Sequence, residues 1–205
     1  LFGIETAGTF SSRVENKYGY TGLIQIGTVE GGLKSTRRNA AATMIAVDRQ
    51  RLGVNKIPRL KKGQTNRQAV LKAWEKYGTK KYDFKNMTRV QQLEYVRAYF
   101  EMSGVNNLKP GPLRAARVYC SILWPAGKNL APNKAVLAEK LELLDDKKYI
   151  QKGIQNGWYE SVPRAYRANI GAFKGIDMTR AGVITILDFD SKIKDVIKQY
   201  GLDKI

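Results

Sequence analysis

Histidine is absent from this chain of 205 residues, and cysteine occurs once, at Cys120. The first absence removes Ser-His and Cys-His nucleophilic systems and histidine-rich metal sites. The second removes an intrachain disulfide and a cysteine cluster for zinc. Cys120 follows Tyr119 in an apolar stretch, which predicts an inert core thiol. No apolar run approaches the ~20 residues that a membrane span needs. No signal-peptide pattern, internal repeat or low-complexity segment is visible. Nothing in the composition calls for a cofactor or a metal. Acid–base chemistry therefore falls to carboxylates and tyrosines.

Carboxylates are themselves scarce: 18 Asp and Glu stand against 36 Lys and Arg, giving a net charge of +18 and a pI near 10.0. Such a charge steers a molecule toward polyanions. Nucleic acid, teichoic acid, lipopolysaccharide and peptidoglycan all qualify, and the sign of the charge does not choose among them. The excess is concentrated. From Lys34 to Lys81 there are fourteen Lys and Arg against two acids, Asp48 and Glu75, about two-thirds of the net charge. Hydrophobic residues make up 43% of the chain, enough to argue against disorder. The length allows one domain with a real core and a small appendage.

The most informative acid is Glu5, in Ile4-Glu5-Thr6-Ala7-Gly8-Thr9-Phe10, followed by Gly22-Leu23-Ile24-Gln25-Ile26. A lone carboxylate opens a helical turn, and a Gly-led apolar segment carrying one glutamine closes the loop behind it. The pairing can set an acid beside an apolar wall, with Phe10 and Leu23 as its candidates. Desolvation there disfavours the charged carboxylate, so the group keeps its proton near neutral pH. A protonated carboxyl in a cleft is what breaking an acetal requires.

This spacing resembles the lytic transglycosylase branch of the lysozyme-like superfamily, which also holds the goose-type lysozymes. There a Glu-Ser-x-x-x-Phe stretch leads to Gly-Leu-Met/Ile-Gln. Thr6 stands here in place of the serine, and Gly8, Phe10, Asn16, Gly22, Leu23 and Gln25 fall where phage members place similar residues. Met87-Thr88-Arg89-Val90-Gln91-Gln92-Leu93-Glu94-Tyr95-Val96 is similar to the phage Met-Thr-x-x-Gln-Gln-Leu-Asp-Tyr-Val helix. Val118 to Ala126, with Tyr119, Leu123 and Pro125, is similar to their Tyr-x-x-x-Leu-x-Pro-Ala helix end. The three pieces, in the family's order, cover roughly half the chain. More helix precedes the acid in the family. That difference, with Leu1 in first position, leads to the expectation of a processed product or a segment of a longer protein.

The resemblance implies a mainly α, lysozyme-like domain with minimal β structure over residues 1–175, with residues 32–81 as a basic insertion. It implies cleavage of peptidoglycan glycan strands, with Glu5 as the catalytic acid and base. Gln25 would orient the site or bind substrate, or else merely brace its loop. Tyr119 matches the family's site tyrosine, against the alternative of a satisfied helix-face residue. Thr6 and Tyr20 are further substrate-side candidates. Tyr18, Tyr20 and Trp124 could stack on sugar rings, Trp124 equally being a core residue. Most glycosidases pair two carboxylates, and no second acid stands out. Glu15 lies in a polar loop. Glu94 occupies the family's acidic position, one turn from Arg97, with which a surface ion pair is as reasonable. That scarcity fits a lytic transglycosylase, in which the sugar's own N-acetyl group and 6-hydroxyl do the remaining work. The implied setting is a phage virion or the host periplasm and cell wall, with glycan strands, other phage structural proteins and, through residues 34–81, anionic polymers as partners. A catalytically dead, basic virion protein on the same scaffold, binding nucleic acid or wall polyanions, is the rival.

Residues 176–205 are expected to form a C-terminal helical segment with a degenerate EF-hand-like loop. Asp177, Gly182, Ile184 and Asp188 take positions 1, 6, 8 and 12, but Thr179 and Ala181 stand where oxygen-rich ligands belong. A retained turn without metal is the better reading. Phe189, Ile193, Val196, Ile197 and Tyr200 make a docking stripe. Periodicity predicts further helices around Ala69–Tyr77, over Thr88–Phe100 with a Thr88/Gln91 capping box and a Val90, Leu93, Val96, Phe100 stripe, over Leu113–Trp124, and over Ala135–Leu144.

Overall fold

The computed structural model describes residues 11–16, 20–27, 38–59 and 66–201. Its described part is mainly helical with four short strands. It divides into two compact units, 1–106 and 107–205.

In the first unit a hairpin pairs β1 (Tyr20–Thr21) with β2 (Ile26–Gly27), antiparallel, with Thr21 opposite Ile26. Four helices follow: α1 (Arg38–Leu52), α2 (Arg67–Tyr77), α3 (Lys81–Asn86) and α4 (Arg89–Ser103). Helix α1 packs on both α4 and β2. The basic segment is therefore part of the unit's core rather than an excrescence on it: Met44, Val47, Ile57 and Val70 are all buried.

Helix α4 begins as its sequence predicts. The Thr88 side chain accepts from the Gln91 backbone N–H, the Gln91 side chain accepts from the Thr88 N–H, and Gly104 ends the helix in the left-handed region at φ 68°. Its buried face differs from the expected stripe. Val90 and Leu93 are 75% and 44% exposed, while Gln92, Tyr95, Val96 and Tyr99 are buried. The spacing is still helical, but the stripe is rotated, because the polar ends of Gln92 and Tyr95 find partners inside. A hydrogen-bonded polar group can be buried without the desolvation cost that a ranking by hydropathy assumes.

The second unit contains α5 (Arg114–Leu123), β3 (Ala135–Ala138), α6 (Lys147–Asn156), α7 (Val162–Asn169), β4 (Val183–Thr185) and α8 (Ile186–Gln199). Residues 135–144 are not a helix. Ala135–Ala138 is a strand buried on both faces and paired antiparallel with β4, and a 3-10 turn occupies Leu141–Leu143. A short apolar run fits a buried strand and a buried helix equally well, and only its partner decides. That partner also moves the unit boundary. The β3–β4 ladder and the packing of α5 on α8 join residues 176–199 to residues 107–175, so the division falls at 106/107 and not at 175/176.

The core of this unit is aromatic. Tyr119 stacks on Phe173 at 6.4 Å, and Phe189 meets both rings edge-on. Beside it the Tyr149 hydroxyl accepts from Trp124 Nε1 at 2.6 Å and donates to the Val136 carbonyl at 2.7 Å. Of the expected C-terminal stripe, Phe189 and Val196 are buried and Tyr200 is 40% exposed.

Candidate functional site

The turn Gly22–Gln25 closes the β1–β2 hairpin. Gly22 lies at φ 86°, and Gln25 is the one non-glycine residue at positive φ (52°) among those described. The Gln25 N–H donates to the Gly22 carbonyl at 3.1 Å, and the Gly22 N–H to the Val14 carbonyl at 2.9 Å. A glycine is needed at 22 for space as well as for φ. A Cβ there would stand 2.5 Å from Gln92 Oε1 and 2.7 Å from Phe84 Cε1. Leu23, Ile24 and Ile26 are buried, so the segment belongs to the unit's apolar core.

Gln92 holds this turn. Its Oε1 accepts from the Leu23 N–H at 3.1 Å, and its Nε2 donates to the Ser12 carbonyl at 2.9 Å and the Phe84 carbonyl at 2.8 Å. Both amide protons and the acceptor are thus used, and the side chain is fully buried. The Ser12 hydroxyl adds a bond to the Met87 carbonyl at 2.9 Å. Two of the three segments that carry the family resemblance, 22–26 and 87–96, are therefore in direct hydrogen-bonded contact. Gln92 was not among the expected site residues. The Gln91-Gln92 doublet was the available signal: one amide caps the helix and the next is swallowed by the core.

Glu5, Thr6, Phe10 and Tyr18 lie outside the described residues. Gln25 Nε2 donates to the Gly22 carbonyl at 3.0 Å and the Val14 carbonyl at 3.3 Å, so its amide braces the turn. Tyr20 is half-buried in β1, its N–H bonded to Asn16 Oδ1 at 3.1 Å. Glu94 is exposed, and its partner is Arg51 of α1 at 3.3 Å, not Arg97, which pairs with Glu101 at 2.8 Å. Tyr119 lies in the second unit, 1% exposed in the aromatic core. Trp124 packs edge-on against Trp158 in the same unit, its N–H engaged by Tyr149.

Two other carboxylates of the first unit are committed elsewhere. Glu15 accepts from Lys81 and, at 3.0 Å, from Lys85. These two ammonium donors hold its carboxyl below the usual range, which keeps Glu15 charged and unfit to donate a proton at neutral pH. Asp48 is fully buried. Its Oδ1 accepts from the Thr79 hydroxyl at 2.7 Å and Arg51 Nη1 at 3.3 Å, and its Oδ2 from the Thr79 N–H at 2.7 Å and Trp74 Nε1 at 3.1 Å. Since Thr79 donates its only hydroxyl proton to Asp48, the Tyr95 hydroxyl, 2.8 Å away, donates to Thr79. Arg51 also lies 3.8 Å above the Tyr95 ring. Asp48 thus ties α1, α2 and α4 together. Its sequence signal was to be one of two acids in a strongly cationic stretch.

The loop that resembles an EF-hand is closed by its own side chains. The buried Asp188 carboxylate accepts from the Thr179 N–H at 2.7 Å, the Thr185 N–H at 2.7 Å and the Thr179 and Thr185 hydroxyls at 3.1 and 2.8 Å. Gly182 turns the chain at φ 71° into β4. Among the described residues no group of three or more His, Cys, Asp or Glu could hold a metal ion. No helix of the described residues is long and apolar enough to cross a membrane. No protein family, no curated protein and no solved structure matches this chain.

Proposed function

We propose that this protein cleaves the glycan strands of peptidoglycan as a lytic transglycosylase, on a lysozyme-like fold whose C-terminal loop is a metal-free relative of the EF-hand. The observation that carries the reading is the bond from the Leu23 N–H to Gln92 Oε1. It joins the glutamine loop to the Gln-Gln helix, the two described segments nearest in pattern to that family. An apolar core of Leu23, Ile24 and Ile26 behind such a loop suits a carboxyl that must stay protonated.

In this reading Glu5 protonates the oxygen bridging N-acetylmuramic acid and N-acetylglucosamine. The bond from the muramyl anomeric carbon to that oxygen breaks, and the sugar's own N-acetyl group steadies the cation. The same sugar's 6-hydroxyl then attacks the anomeric carbon and returns its proton to Glu5, leaving a 1,6-anhydro end. Water in place of the 6-hydroxyl gives a lysozyme and a reducing end. The setting is phage-encoded, in the virion or acting in the host periplasm and wall. Tyr20 and Thr6 are proposed on the substrate side, and Gln25 as the brace of the loop.

The rival reading, a basic wall- or nucleic-acid-binding virion protein without activity, is favoured by one observation. Lys56 and Lys76 flank the half-exposed Tyr77 ring at 5.1 and 4.9 Å, and Lys80 lies 4.6 Å from the Trp74 ring. Digestion of purified sacculi separates the two. The wild type should release muropeptides with anhydro ends by mass spectrometry, Glu5→Gln should release none, and both should bind polyanions alike. No release by the folded wild type would leave the rival standing.

A further inference from the structure

The second unit carries a cleft of about 440 Å³ at the start of α5. Its lining includes Lys109, Arg114 and Arg117 and contains no acid. Arg117 is held in place: Nη1 donates to the Lys128 carbonyl at 2.5 Å and the Leu130 carbonyl at 2.9 Å. That fixes the guanidinium while Nε and Nη2 retain their own N–H groups. Asn129 adds an amide, and Pro110 and Pro112 supply stiff apolar walls. Ion pairs elsewhere in this unit engage other cations, as Arg180 and Lys134 do with Asp145.

We propose that this cleft is a binding site for a phosphate monoester on a small polar body, such as a sugar phosphate. Three cations with no acid among the lining residues suit a group near −2 better than a lone carboxylate, and a monoester has roughly that charge at pH 7. A fixed guanidinium fork matches phosphate oxygens. The volume falls within the ~300–1,000 Å³ of small-molecule sites, with room for an organic body beyond one phosphate. The site is independent of any glycosidase activity.

The test is a titration of the full chain, followed by the backbone amide NMR signals of residues 107–117. The probes are glucose 6-phosphate, inorganic phosphate, glucose and a glycerol-phosphate phosphodiester oligomer. The expected result is saturable binding of glucose 6-phosphate at roughly millimolar or tighter affinity, weaker binding of phosphate and none of glucose. Lys109→Ala/Arg114→Ala should weaken it at least about tenfold, the loss expected for one charge-assisted hydrogen bond or more. Lys147→Ala/Lys148→Ala on α6, two exposed lysines outside the lining and with the same change of net charge, should leave it within about twofold. Arg117 is left intact because it also holds the 128–130 loop. Equal losses in the two double variants, unsaturable shifts, or binding of the phosphodiester without the monoester would each overturn the proposal.

Discussion

Removing the Gln92 amide should release the 22–25 turn, and the size of the effect follows from the bonds it makes. Gln92→Leu keeps an apolar body of similar size but orphans the Leu23 N–H and the Ser12 carbonyl, while the Phe84 carbonyl loses one of two donors and keeps the Met87 N–H at 3.2 Å. A buried group left unsatisfied costs about 1–3 kcal/mol, and a carbonyl tolerates the loss better than an N–H. For two such groups the total is on the order of 2–4 kcal/mol. Urea unfolding should record it, and hydrogen exchange at the Leu23 amide should localise it. Gln92→Glu refines the test. At pH 7 a carboxylate would face two carbonyls in a buried site, so its folded pKa must rise above the ~4.3 of the unfolded chain. A carboxyl with a raised folded pKa contributes its stability below the unfolded value and loses it as pH rises through the folded one. The Glu variant should therefore be the weaker at pH 7 and recover part of the deficit toward pH 4, while the Leu variant stays low at both. If Gln92→Leu unfolds within ~1 kcal/mol of the wild type and Leu23 exchanges no faster, the amide does not hold the turn, and the structural support for a glycan-cleaving site goes with it.

Two further outcomes follow from the other carboxylates. Asp48→Ala leaves the Trp74 and Thr79 donors without their acceptor and Arg51 with only the exposed Glu94; a loss of about 3–5 kcal/mol is expected in urea unfolding, with Thr79→Val losing less. Glu15→Gln should cost under ~1 kcal/mol at pH 7, since the pairs with Lys81 and Lys85 are partly exposed. Because Glu15's pKa is lowered in the folded chain, its stabilisation is present above the unfolded pKa and lost as pH falls through the folded one. The gap between wild type and variant should thus close on acidification below ~4; a gap that widened instead would refute the ion-pair account.

Local features were legible from residues alone wherever neighbours in the chain decided them. The Thr88/Gln91 box, the stop at Pro125 and the turn at Gly182 all rest on interactions within a few residues, and the apolar run around Cys120 marked it for the core. The burial of Cys120 also pushes its thiol far above the ordinary range, consistent with an inert core group. The candidate site was partly legible for the same reason. Gly22 and Gln25 announced a turn, and the turn is there, but nothing in the order of residues said that Gln92, sixty-nine positions after Leu23, would hold it. The scarcity of acids set Asp48 apart without naming Thr79 or its other partners, because a polar residue looks solvent-bound until its partners from other helices are in place.

Composition and periodicity by themselves determined that the chain folds mainly as helices, carries a large positive charge and contains neither histidine nor a pair of cysteines. Tertiary contact decided which face of α4 turns inward, that residues 135–138 are a strand, and that the chain divides after residue 106. Helical periodicity and charge are properties of a segment and can be read along it. Burial of a glutamine, an aspartate or a short apolar run depends on whether a distant segment supplies the missing hydrogen bonds, and only the folded chain brings those donors and acceptors together.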